Sequence, residues 1–277
     1  MTIANINGTN IDYEIQGHGE PVLLIPGLGL DKTYYKLGEP YLSKFIKTII
    51  VDPRGVGKSE KIIQQFTVEQ WADDFASLID YLDLGPMHVV GSSLGGCMAM
   101  ALAEKYPKKV KSLIPIGSFS ELDLGIEANF RLRIQIIEKL GMGEEIATHM
   151  GLWTLSRNFF ETTIGQEVFT QNKKNVNKNS PEMYKALITS ILHFGKKLPG
   201  QQDEPIFTTK LKNIHTPTLV LTGDDDHFIP ASHSQRIAHN ITGSKYIEIT
   251  GGGHIPFIQK PKETAHAILN FLMHLDN

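Results

Sequence analysis

The run His88-Val89-Val90-Gly91-Ser92-Ser93-Leu94-Gly95-Gly96-Cys97-Met98-Ala99 ends a short apolar segment in Gly-x-Ser-x-Gly and passes at once into a helix-forming stretch, Leu94 to Tyr106. The order it predicts is strand, tight turn, helix. Glycines two residues to either side of the apex allow neighbouring backbone to pass without a Cβ clash, and the apex side chain, Ser93, is lifted clear of the sheet. The first N–H groups of the following helix have no intrahelical partner and point at whatever lies beside that hydroxyl. A glycine-rich turn without chemistry fits the same pattern, so the rest of the chain must decide.

Upstream, Thr2 to Ile6 and Thr9 to Ile15 read as strands joined across Asn7-Gly8, a pair suited to the positive φ angles of a hairpin. Pro21 to Ile25 is a buried strand entering Pro26-Gly27-Leu28-Gly29, and Ile46 to Val51 is another, entering Asp52-Pro53-Arg54-Gly55-Val56-Gly57-Lys58-Ser59. Neither loop binds nucleotide: the phosphate-loop pattern needs glycine where Asp52 stands, and a dinucleotide fingerprint needs glycine where Lys32 stands. The Asp52 loop is expected to be a structural turn. Asp31 to Phe45 has weak helical character. Val68 to Leu84 places Trp71, Phe75, Leu78, Ile79 and Leu82 on one helix face.

Downstream of the elbow, Lys109 to Ile116 is a strand, and alternation of strand and helix calls for a mostly parallel central sheet with helices on both faces. The alternation then stops. From Phe119 to about Lys212 the pattern is helical over Ile126 to Leu140, Glu144 to Leu155 and Pro181 to His193, broken by Gly141, Gly143, Gly165 and a polar run from Gln171 to Ser180. The division expected is a core of residues 1–118 and 213–277 with an inserted helical cap over 119–212. Phe130, Trp153, Phe159 and Phe160 are expected mainly to pack that cap. Strand returns at Thr218 to Thr222, helix at Ala231 to Asn240, strand at Lys245 to Ile249, and a last amphipathic helix runs from Pro261 to Leu275.

The chain has 277 residues, is 41% apolar and carries a formal charge of -3, so no basic excess invites nucleic acid. Cys97 is the only cysteine, which excludes an intrachain disulfide. The first residues lack a signal-peptide pattern, and no apolar run reaches the roughly 20 residues that span a bilayer. A cytoplasmic setting without membrane attachment is expected; oligomeric state is unreadable.

Parallel strands bring their C-terminal ends to one edge, where open α/β sheets bind ligands. Three following loops there carry reactive groups: Ser93; Gly223-Asp224-Asp225-Asp226-His227-Phe228-Ile229-Pro230; and Gly251-Gly252-Gly253-His254. A serine hydroxyl needs a base, imidazole has a suitable pKa, and a carboxylate on the other ring nitrogen fixes the tautomer.

With Pro26-Gly27-Leu28-Gly29, the Asp52 to Ser59 loop, Gly91-Ser92-Ser93-Leu94-Gly95-Gly96, Gly223-x-x-Asp226-x-x-x-Pro230 and Gly253-His254, the chain resembles the α/β-hydrolase superfamily. It is most similar to small bacterial esterase and lactonase members such as 3-oxoadipate enol-lactonases. Pro26 stands where the family usually has histidine before the oxyanion loop, a change that leaves the N–H donors in place. The resemblance implies the α/β-hydrolase fold, Ser93 as nucleophile, His254 as base, Asp226 as orienting acid, and the N–H groups of Leu28 and Leu94 as oxyanion donors. Asp226 alone of the three aspartates has the family's spacing from Gly223 and Pro230. Phe119 and Trp153 are the candidate substrate contacts.

The function implied is hydrolysis of a small carboxylic ester or lactone through an acyl-enzyme. Hydrolysis of a carbon–carbon bond in a keto acid, and a small-molecule receptor with an incidental triad, are the alternatives. Arg131 and Arg133 could hold such an acid's carboxylate, although a solvated helix face is the plainer expectation. Of the eleven histidines, His88, His239, His266 and His274 lie within regular elements, and His227 and His233 lack a metal-ligand spacing. Neither metal nor cofactor is implied. Cys97, one turn after Ser93, reads as a small buried hydrophobe.

Overall fold

Strand β3 (Pro21–Ile25) shows how the sheet is built. Val22 and Leu24 join the apolar core on one face, whereas Leu23 and Ile25 join the core on the other. The same alternation recurs at Ile49, Ile50 and Val51 of β4 (Lys47–Val51) and at Val89 and Val90 of β5 (Met87–Ser92). It recurs again at Leu113 and Ile114 of β6 (Val110–Ile116) and at Leu219, Val220 and Leu221 of β7 (Leu219–Gly223). Strands buried on both faces must be sandwiched between helices. The computed structural model describes residues 2–64, 66–194 and 206–275; within the insertion expected over 119–212, residues 195–205 lie outside the described residues, and within the expected core so do 1, 65, 276 and 277.

Adding β1 (Thr2–Ile6), β2 (Thr9–Gln16) and β8 (Lys245–Ile249) gives an eight-stranded sheet of order β1-β2-β4-β3-β5-β6-β7-β8. β1 and β2 run antiparallel, and β3 to β8 are mutually parallel. The opening hairpin turns on Asn7 (φ 45°) and Gly8 (φ 67°), the positive pair expected there. Register places Ser92 opposite Ile116, Ile116 opposite Leu221, and Gly223 opposite Ile249, so the loops after β5, β6, β7 and β8 open at one edge.

Helix α1 (Glu39–Leu42) is a single turn, and with the 3-10 turn Lys32–Tyr35 it fills the weakly helical stretch before β4. α2 (Val68–Leu82) is capped by Thr67, whose hydroxyl accepts from the Gln70 N–H, and ends at Asp83 in a left-handed conformation. It packs with α3 (Leu94–Lys105) on one face of the sheet, where Trp71 stacks on Phe66 with ring centres 5.3 Å apart. After β7, α9 (Ala231–Asn240) adds Ile237 to that same core. The opposite face is covered by α1, α10 (Pro256–Gln259) and α11 (Pro261–Met273).

Between β6 and β7 the chain forms α4 (Leu124–Leu140), α5 (Glu144–Thr154), α6 (Arg157–Phe160), α7 (Thr163–Asn175) and α8 (Pro181–Phe194). α7 runs through Gly165, where the sequence suggested a break, and on into the polar run from Gln171. Thr162 caps α7 by accepting from the Gly165 N–H at 3.0 Å, and Gly165 sits inside the helix because the Phe159 carbonyl leaves no room for a Cβ. Phe169 supplies the apolar anchor, 4.7 Å from Phe160 between ring centres. No described helix is long and apolar enough to cross a membrane.

Candidate active site

Ser93 sits between β5 and α3 with φ 54° and ψ −119°, one of three described non-glycine residues with positive φ. Such a conformation costs on the order of 1–3 kcal/mol and persists only where its surroundings over-determine it. The Ser93 N–H donates to the Ile116 carbonyl at 2.8 Å, and the Ser118 hydroxyl donates to the Ser93 carbonyl at 3.0 Å. A Cβ on Gly91 would strike the Gly95 carbonyl, and one on Gly95 would strike the carbonyls of Ile25 and Pro26. Glycine at both positions therefore lets α3 start directly against β5 and the loop after β3.

That loop lies beside the serine: a Cβ on Gly27 would be 3.3 Å from the Ser93 Cβ. Among the described residues, neither the Leu28 N–H nor the Leu94 N–H donates to another protein group. Both border the Ser93 side chain by chain position, Leu28 next to Gly27 and Leu94 next to the serine itself. Tyr34, in a stretch whose sequence gave no sign of a role, reaches under the elbow with its hydroxyl 2.8 Å from the Ser92 Oγ, and burial raises its pKa.

The structure brings three of the expected side chains into one line. The Ser93 Oγ and His254 Nε2 are 2.9 Å apart, and His254 Nδ1 and Asp226 Oδ2 are 2.9 Å apart. The other Asp226 oxygen accepts from the N–H groups of Phe228 at 2.9 Å and Ile229 at 2.8 Å, which fixes the carboxylate. All three residues are buried, Ser93 retaining 8% exposure. Gly117, with φ 53°, passes beneath this line: a Cβ there would lie 3.4 Å from Asp226 Oδ2 and 3.5 Å from His254 Nδ1. Asp224 and Asp225 serve their turn instead, accepting from the Gly251 N–H and pairing with exposed His227.

The helical segment touches both sides of the line. The His254 N–H donates to the Thr154 carbonyl at 3.0 Å, and Gln259 Nε2 donates to the Ser156 Oγ at 2.9 Å. Across the site, Asn179 Nδ2 donates to the Gly29 carbonyl at 2.8 Å, and the Tyr184 ring crowds Gly29.

Phe119 is wholly buried beside Phe194, its carbonyl accepting from the Cys97 thiol at 3.2 Å. Burial pushes that thiol up to about 12, so Cys97 is an unreactive apolar filler. Trp153 is 42% exposed, its ring centre 6.4 Å from that of His149. Among the described residues, no hydrogen bond or ring contact joins Phe119 or Trp153 to Ser93, His254 or Asp226. Arg131 is a surface residue paired with Glu127, as a solvated face requires. Arg133 departs from that expectation. It is buried, its Nε donates to Asn129 Oδ1 at 2.9 Å, and its guanidinium carbon lies 4.4 Å from the centre of the Phe228 ring. The legible signal was position: Arg133 shares a helix face with Ile126, Phe130 and Ile137.

The Asp52 loop is a structural turn. Asp52 accepts from the N–H groups of Lys32 at 2.7 Å and Lys58 at 2.8 Å, and Arg54 pairs with Asp74 at 2.7 Å. Among the described residues, no group of three or more His, Cys, Asp or Glu side chains is arranged to hold a metal ion.

The family model for the alpha/beta hydrolase fold matches residues 20–261. Among relatives in sequence, the candidate carbamate hydrolase RutD of Pantoea ananatis is 26% identical over 270 residues, covering 94% of this chain and 92% of its own. The candidate non-heme bromoperoxidase BpoC of Mycobacterium tuberculosis is 27% identical over 275 residues, covering 95% and 97%. Among solved structures, a malate-bound esterase from Thermogutta terrifontis is 29% identical with a TM-score of 0.83, covering 98% of this chain and 96% of that one. An enol-lactonase from Burkholderia xenovorans shares the fold, at 21% identity and a TM-score of 0.85, covering 99% and 100%. Strand order, the elbow after β5 and the family match over most of its length agree: the chain belongs to the α/β-hydrolase-fold family.

Proposed function

We propose that the protein is a serine hydrolase that cleaves a small carboxylic ester or lactone through an acyl-enzyme on Ser93. The observation that carries this reading is the continuous hydrogen-bonded row from Ser93 Oγ through His254 to Asp226. In the first step Oγ attacks the carbonyl carbon while its proton passes to His254 Nε2. The Leu28 and Leu94 N–H groups stabilise the oxyanion, a contribution of roughly 3 kcal/mol per donor in comparable sites. The imidazolium, held by Asp226, then protonates the departing alkoxide. Water next gives its proton to His254, attacks the acyl carbon and releases the acid, which restores the Ser93 hydroxyl.

In this reading α4 to α8 act as a cap: they cover the acyl site and, through Thr154 and Asn179, hold the base and the oxyanion loop in register. The esterase relative from Thermogutta supports ester cleavage. The RutD relatives suggest testing carbamates as well, since their carbonyl is open to the same attack.

Ser93→Ala should abolish hydrolysis of 4-nitrophenyl acetate and butyrate while leaving the melting temperature near that of the parent. A fluorophosphonate should add its mass to the parent on Ser93 and not to the variant. Substantial turnover by Ser93→Ala would rule out the acyl-enzyme. Rapid labelling with negligible turnover of every ester and carbamate would point to a receptor.

A further inference from the structure

Beneath the elbow, two buried hydroxyls meet on the sheet face that α10 and α11 cover. Tyr34, 4% exposed, and Ser92, 1% exposed, bring their side-chain oxygens to 2.8 Å. Tyr34 belongs to the same apolar core as Val90 and Phe257. Phenylalanine and alanine would fill these two places with no polar atom to bury. A matched pair of buried polar groups adds little net stability over apolar groups of the same shape, so packing alone does not call for this one.

What the pair holds is the peptide that leads into Ser93. Tyr34 lies on the 3-10 turn Lys32–Tyr35, whose start is capped by the Asp31 carboxylate accepting from the Thr33 N–H at 2.9 Å. Beside it, the Tyr35 hydroxyl donates to the Ile25 carbonyl at 2.7 Å, which ties the turn back to the end of β3. The Tyr34 ring also meets Phe257 edge to face at 6.2 Å between centres, and Phe257 lies three residues beyond His254. Three contacts oppose relaxation of the left-handed backbone at Ser93. The Ser93 N–H bonds the Ile116 carbonyl, the Ser118 hydroxyl bonds the Ser93 carbonyl, and Tyr34 acts one residue earlier, on Ser92. The Ser92 carbonyl faces Gly27, where an added Cβ would come within 3.2 Å of it. Turning the 92–93 peptide would therefore swing Ser93 Oγ off His254 Nε2, now 2.9 Å away, and alter the spacing to the loop that carries Leu28.

We infer that Tyr34 is a positioning residue for the nucleophile: through Ser92 it sets the peptide that aims Ser93 Oγ at His254 and spaces the elbow from the loop after β3. The inference rests on the serine-hydrolase reading above. Tyr34 is buried beneath the elbow and acts through geometry, where a displacement of about 1 Å can cost about a hundredfold in rate.

The test is a cycle of Tyr34→Phe, Ser92→Ala and the double variant, read both in stability and in turnover of 4-nitrophenyl butyrate. Each single change strands one buried hydroxyl and should lower the melting temperature, whereas the double change removes both and should bring it back near the parent value. Turnover should not return with it. In all three variants kcat should fall on the order of tenfold with KM within about twofold of the parent. The double variant should lose no more than either single one, because the same bond is broken in each. Fluorophosphonate addition to Ser93 should slow in step. A double variant that keeps kcat within about twofold of the parent, or one whose loss is the product of the two single losses, overturns the inference. The same twofold limit applied to Tyr34→Phe alone decides the matter should the double variant fail to fold. If the parent neither turns over esters nor takes the label, the serine-hydrolase reading has failed, and the ring N–H resonance of His254, assigned by its loss in His254→Gln, decides instead. That resonance should move in Tyr34→Phe, and an unmoved signal overturns the placement of the elbow by Tyr34.

Discussion

A buried histidine that refuses a proton records its burial in the pH dependence of stability, and this makes His149 readable from outside. Burial, reinforced by Arg133, lowers its pKa from 6.5 to about 4. Between these values the unfolded chain binds a proton that the folded chain refuses, so stability is present in full above pH 6.5 and is lost as pH falls towards 4. His149 is only partly buried as a residue, so solvent screening limits the loss to roughly 1–2 kcal/mol. The melting temperature of the parent should therefore fall more steeply from pH 6.5 to 4.5 than that of His149→Gln; parallel profiles would contradict the assignment. The burial of Arg133 was legible only from its place on a buried helix face, because a buried guanidinium opposes the rule that keeps such groups in water. The place of Asp226 beside His254 was legible because it follows from local spacing: it comes three residues after Gly223 and four before Pro230.

Elements were legible where one period ruled them. β3 and α9 match their expected limits because a buried run and an amphipathic stripe carry their own punctuation, β8 matches although only its Ile249 is buried, and α2 ends two residues early where Asp83 turns left-handed. α6 and α7 were not, because Gly165 reads as a breaker until the Phe159 carbonyl is seen against it. The junction between β5 and α3 shows what a glycine secures at this scale. A Cβ at Gly91 would collide with the Gly95 carbonyl, and neither backbone can yield without parting β5 from α3. Gly91→Ala should destabilise the protein by roughly 2–3 kcal/mol and reduce turnover further than that loss explains, because it displaces the Ser93 turn. Urea unfolding beside kcat measured well below the midpoint would test it; a variant within about 0.5 kcal/mol of the parent would show that the junction can relax.

Across the whole molecule, stability and the candidate site are divided unequally. The sheet and its flanking helices bury nearly continuous apolar faces, whereas α7 is largely exposed and α5 buries only Ile146, Ala147 and Gly151. Segments with few buried apolar contacts open at a lower free-energy cost than the global transition. Yet the His254 N–H is held by Thr154, at the end of α5, and the Gly29 carbonyl by Asn179, in the connection between α7 and α8. His254 and the loop carrying Gly29 thus depend on the least secured of the described helices. Ester hydrolysis should be lost at a lower urea concentration than the far-ultraviolet signal of the whole fold, and exchange protection of amides in α5 should fall along with activity. Coincident transitions would mean that α5 to α7 unfold only with the sheet, and that the contacts at Thr154 and Asn179 are as durable as the core.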